Sequence, residues 1–271
     1  MILSSASAAA PGAGWLAAAA SAAYLMAALP GKDGRRRWPA ALLAGVLLHA
    51  VLLVLDIAGV GREPPGTRFG FSPVLSLTVW LVLAVHAAES RLVPQPALRR
   101  VLALAGVAAV LLAWVFPGEV RVAAGSPWDP LHWLLGVASY GLFGAAVLHG
   151  AMLDSAERRL RTRQAATPGA FGMPLLQLER LTFRFVQAGF VVLSAALLLG
   201  VATTEHWRWD HKTVLSLLGW VVFAALLAGR KLWGWRGRRA TRWLYAGAAL
   251  LLLAYVGSRF VLEVVLGRST A

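Results

Sequence analysis

The sequence predicts an all-α integral membrane bundle of about eight transmembrane helices. Three observations predict it: an apolar composition, eight apolar runs near the length of a bilayer span, and basic residues gathered between alternate runs. Of the 271 residues 59% are hydrophobic and 14% charged, and the mean hydropathy is +0.67. An ordinary soluble domain is about half apolar and a quarter charged. The formal net charge is +14, but the basic residues sit in short clusters between apolar runs and do not line one face of a polar domain. That pattern speaks for membrane topology and against a nucleic-acid partner. There is no cysteine, which removes disulfides, thiolate metal sites, CxxC redox chemistry and a catalytic thiol together. Any metal or cofactor must be held by His, Met, carboxylate or backbone.

A bilayer-spanning helix needs about 20 mostly apolar residues. The first run, 13–29, has no basic n-region before it and is followed by Lys32, Arg35, Arg36 and Arg37, so it reads as a retained helix and not as a cleaved signal peptide. The second, 38–60, carries His49 near its middle, and the third, 71–89, carries His86 toward its end. The fourth, 101–117, follows Arg99 and Arg100, and the fifth, 131–153, contains His132 at its start and His149 near its end. The longest loop, 154–182, closes in a stretch over 173–181 that resembles an interfacial lead into the sixth run, 183–204. The seventh covers 212–229 and the eighth 243–266, where Arg259 and Glu263 are spaced to pair across one turn. Together they form one membrane domain over residues 1–271.

Cytoplasmic loops should hold the excess of Lys and Arg. The loops after the first, third, fifth and seventh helices hold 19 of these residues and the opposite side holds 6, with Arg259 inside the last helix. The reading that follows is a multi-pass protein of a bacterial inner membrane with both termini on the outer side.

Six histidines are present, and depth sorts them. His132, His206 and His211 fall near the outer face, and the stretch from Thr203 to Lys212 packs Trp207, Trp209, Asp210 and two imidazoles into one short polar turn. Trp128, Asp129, His132 and Trp133 add a second aromatic and imidazole group before the fifth helix. Indole rings offer stacking area and neutral imidazoles offer axial ligation, a combination that suits a flat metalloporphyrin. Tryptophan is also enriched at membrane interfaces as an anchor, so plain interfacial anchoring stays open. His49 is buried in apolar sequence with Asp56 two turns on, a stripe that serves a proton path, a ligand or an interhelical hydrogen bond. The sequence holds no P-loop, GxSxG, HExxH or dinucleotide fingerprint, so no reaction is proposed from motifs.

Several stretches carry a resemblance: Glu179-Arg180, Gln187-Ala188-Gly189, Trp207-Arg208-Trp209-Asp210, Gly234-Trp235-Arg236-Gly237-Arg238-Arg239 and the run from Ala254 to Phe260. They resemble the haem-handling cytochrome c assembly proteins of the CcsA and CcmC type and, more closely, the YpjD group of inner-membrane proteins, with the best match over 131–266. The resemblance implies a bundle that receives haem in the membrane and presents it at the outer face to apocytochrome c, with partners among the cytochrome assembly proteins. It implies a haem site that takes in His132, Trp207, Trp209 and Asp210, with His49 as an intramembrane haem residue; His211, directly beside the tryptophans, is placed by that position to join His132 as a metal ligand. The chain departs from the family where His211 stands in place of a proline, where Ala228 stands for an intramembrane histidine, and where no histidine occurs near Arg268. These departures argue against a complete cytochrome c synthase. A cofactor-free structural or regulatory membrane protein on the same fold is the second reading, and a proton-coupled transporter using His49 and Asp56 the third.

Overall fold

A computed structural model describes residues 13–29, 37–58, 67–90, 96–121, 128–162, 174–203 and 209–266. The described residues form an all-α membrane bundle: α1 Ala13–Ala28, α2 Arg37–Ala58, α3 Phe71–Glu89, α4 Pro96–Val115, α5 Asp129–Arg161, α6 Leu175–Thr203, α7 His211–Trp233 and α8 Gly237–Leu252. The last helix continues as a π-helical segment Leu253–Gly257, an α turn Ser258–Phe260 and a second π-helical segment Val261–Val265. Seven of these helices, the last taken as Gly237–Val265, are long and apolar enough to cross a membrane, and Ala13–Ala28 is a shorter apolar helix. Large apolar side chains such as Leu47, Val54, Leu104, Leu198 and Val221 point outward, as lipid-facing positions should. The chain divides into two compact units, residues 1–91 with 96–124, and 92–95 with 125–271.

In the first unit α1 packs on α2 and α4, and α3 on the same two helices. The ring of Tyr24 explains the close approach: a Cβ added at Gly45 would lie 2.6 Å from it and one at Gly106 2.9 Å, so only glycine leaves room on α2 and α4. Trp80 on α3 donates from its indole N–H to the Val46 carbonyl at 2.8 Å. Two short strands were not legible as such from the sequence. β1, Thr67–Phe69, pairs antiparallel with β2, Glu119–Arg121, tying the start of α3 to the segment after α4. Three residues are too few for an alternating pattern to stand out. Gly118 supplies the positive φ of 74° that turns the chain into β2.

In the second unit α5 lies along α6, α7 along α8, and α5 also meets α8. Phe143 stacks on Phe223 with ring centroids 3.8 Å apart, and Gly189 and Gly247 let the backbones of α6 and α8 approach those rings. The hydropathy bounds of the sixth helix are corrected at its start, since α6 already begins at Leu175 with Leu178 buried, so most of the 173–181 stretch belongs to the spanning helix itself. α5 has 33 residues, a length of about 50 Å at 1.5 Å per residue. That exceeds a hydrocarbon core of about 30 Å, so the turns carrying Arg158, Arg159 and Arg161 extend past it.

The turn between α7 and α8 is built by the Gly234 to Arg239 motif. Gly234 adopts a φ of 63° at the end of α7, and the Trp235 N–H donates back to the Gly229 carbonyl at 3.2 Å. The Trp235 ring lies between Trp233 and Trp243, with the Arg239 guanidinium 4.2 Å from its centre. Glu179 on α6 accepts from Arg230 at 2.8 Å and lies 3.6 Å from Arg236.

Candidate functional site

His132 sits in the first turn of α5 and is exposed. Its Nδ1 is 2.9 Å from the Ala196 carbonyl of α6. A carbonyl can only accept, so Nδ1 carries the proton and, in the neutral ring, Nε2 keeps its lone pair. The absence of a side chain at Gly200 makes the seat for this ring, since a Cβ there would come within 2.9 Å of His132 Cε1. A backbone carbonyl holding one ring nitrogen and presenting the other is the arrangement that orients histidine ligands to a metal.

α7 starts from Asp210, whose carboxylate accepts the Thr213 N–H at 2.8 Å and caps the helix. His211 is its first residue and is exposed, and Trp209 just before it is 73% exposed. Trp207 lies outside the described residues. Partial burial pushes the Asp210 carboxyl up, but the Thr213 N–H and hydroxyl, followed by Lys212 and His211, outweigh it and hold the group below its ordinary value. Its contribution to stability is therefore present above the ordinary carboxylate value of 3.8 and lost as the pH falls through the lowered one. Asp210→Ala is expected to cost about 1 kcal/mol in thermal unfolding, and Asp210→Asn much less, because asparagine also caps.

The structure places His132, Trp209, Asp210 and His211 in the second unit and His49 in the first. Among the described residues no hydrogen bond or ring contact joins His132 to His211. His49 is 1% exposed, with Nδ1 3.2 Å from the Tyr24 hydroxyl and Nε2 2.8 Å from Ser76 Oγ. Both nitrogens are therefore engaged whichever tautomer is present. Asp56, two turns on, pairs with Arg68 at 3.6 Å.

Sequence reasoning missed Tyr24 and Ser76 as the partners of His49. It also missed the docking of α8 on α5 through Asp154, whose two oxygens accept from Thr241 at 2.9 Å and Tyr245 at 2.8 Å. A carboxylate at the end of an apolar run, followed by basic residues, was the available signal for Asp154. The expected pair of Arg259 with Glu263 is present at 3.8 Å. Arg259 is 2% exposed, and no sequence signal gave that depth of burial.

Fold and site define a multi-pass α-helical membrane protein with an oriented, open imidazole at one end of a helix bundle. The chain belongs to the cytochrome c assembly protein family, whose description matches residues 69–266. It is 30% identical to a 28.8 kDa protein of Azospirillum brasilense over 88% of this chain and 89% of that one. It is 29% identical to the inner membrane protein YpjD of Escherichia coli over 90% and 94% of the two chains. To a cytochrome c biogenesis protein CcsA of Prochlorococcus marinus it is 22% identical over 80% of each. No solved structure matches the chain.

Proposed function

We propose that this protein handles haem in cytochrome c assembly, holding it at the outer face of the inner membrane and presenting it toward apocytochrome c or another assembly protein. His132 and His211 would hold the haem iron, Trp207 and Trp209 would offer indole surface to the ring, and Asp210 fixes the helix start that carries His211. The observation that carries this reading is the His132 hydrogen bond to Ala196, which leaves Nε2 for a ligand. The donor set fits the group. Among the described residues no cluster of three or more His, Asp or Glu could hold a bare metal ion, whereas a porphyrin brings its own equatorial nitrogens and needs one or two imidazoles.

Haem reconstitution of the purified protein tests this. His132→Ala should lose affinity, and His211→Ala should turn a low-spin six-coordinate spectrum into a high-spin one, with His206→Ala as the check on a neighbouring imidazole. Identical spectra and affinities in all four proteins would favour the cofactor-free structural or regulatory role, for which the fully engaged His49 is the supporting observation. Orientation has its own test, because the cysteine-free chain gives no labelling background. Thr204→Cys should react with impermeant reagent from the outer side, and a cysteine beside Arg158 only from the cytoplasm. Labelling of Thr204→Cys from the cytoplasmic side alone would reverse the topology.

A further inference from the structure

Arg259 is the largest fully buried side chain among the described residues, at 2% exposure, and it lies inside the final membrane span. A guanidinium inside a spanning helix is costly to bury, and such residues commonly mark ligand sites. The helix is also irregular around it. π-helical segments lie on both sides of the single turn Ser258–Phe260, and π turns of this kind occur often at functional sites.

The level of Arg259 along the bundle follows from the docking of α8 on α5. The Tyr140 hydroxyl donates to the Leu251 carbonyl at 2.6 Å, and further along Asp154 accepts from Thr241 and Tyr245. The two helices therefore run antiparallel. His132 is eight residues before Tyr140 and Arg259 eight after Leu251. At about 1.5 Å per residue His132 is about 12 Å toward one end of the bundle, and Arg259, beyond a π-helical segment of smaller rise, lies toward the same end. α7 reaches the same layer, since Lys212 Nζ lies 5.9 Å from the Tyr255 ring centre. His132, the start of α7 and Arg259 thus share one layer of the second unit.

We infer that Arg259 anchors a carboxylate of the ligand held by His132, the propionate side chains of haem, an assignment that rests on the haem reading above. Glu263, 3.8 Å away, is the internal counter-ion with which the ligand carboxylate competes. A guanidinium is suited to this because its planar fork binds carboxylates in a fixed, bidentate geometry.

The test compares haem with its dimethyl ester, which keeps the iron and ring but lacks the carboxylates, by absorbance titration of the full-length protein in detergent. Wild type should bind haem about tenfold or more tighter than the ester, the effect of a charge-assisted hydrogen bond. Arg259→Gln should erase that preference. Glu263→Gln should tighten haem binding and leave the ester unchanged, a gain that misfolding cannot produce. Equal affinity of the wild type for the two ligands, a preference retained in Arg259→Gln, or weaker haem binding in Glu263→Gln would overturn the assignment. If the ester binds and needs His132 while the preference is absent, only the role of Arg259 falls. If neither ligand binds, the haem reading falls with it.

Discussion

With His132 replaced by alanine, haem affinity is expected to fall by at least about 100-fold. Loss of a mere orienting partner of a metal ligand costs about 10–100-fold, and loss of the ligand itself should cost no less. The variant should keep its thermal midpoint, because the His132 ring is exposed and its hydrogen bond reaches only the Ala196 carbonyl near the end of α6. Titration with haem, read at the Soret band, checks the first quantity and thermal unfolding in detergent the second. A parallel loss of stability and affinity would mean that His132 holds α5 on α6 and is no ligand.

His49→Ala is expected to do the reverse, lowering stability by about 2–4 kcal/mol while haem affinity stays within twofold or so of wild type. The imidazole fills a buried position and engages both Tyr24 and Ser76. Removing it opens a cavity and leaves two hydroxyls without their partner at a depth where water cannot replace it. Tyr24→Phe, which keeps the ring and deletes one hydrogen bond, should cost about 1 kcal/mol. Unchanged unfolding together with lost haem would instead return His49 to the ligand path.

The helices were legible because lipid asks for long apolar runs, and their ends were legible only where polarity coincides with the end of the span. α5, α6 and α8 extend beyond their hydropathy bounds through residues such as Arg158, Glu179 and Arg239, which are helical although their polarity breaks the apolar run. The π-helical segments on either side of Ser258–Phe260 leave no mark in an apolar sequence, which reads alike at either helical pitch. At the candidate site, the positions of His132 and His211 near helix starts were legible. The His132 tautomer was not, since it depends on a carbonyl 64 residues away. The partners of His49 are 25 and 27 residues off on other helices, beyond any local pattern.

The seat of Tyr24 between Gly45 and Gly106 also bears on how the chain is made. Helices emerge from synthesis in order, so α1 enters the bilayer before α2, which provides His49, and well before α4, which provides the second glycine wall. The Tyr24 hydroxyl gains its partner when α2 arrives, but one side of the ring stays open to lipid until Gly106 of α4 closes on it. The first helix therefore finishes its assembly late: its final placement must wait for a segment made some 80 residues after it, and α1 should stay exchangeable with the surrounding lipid until α4 is in place.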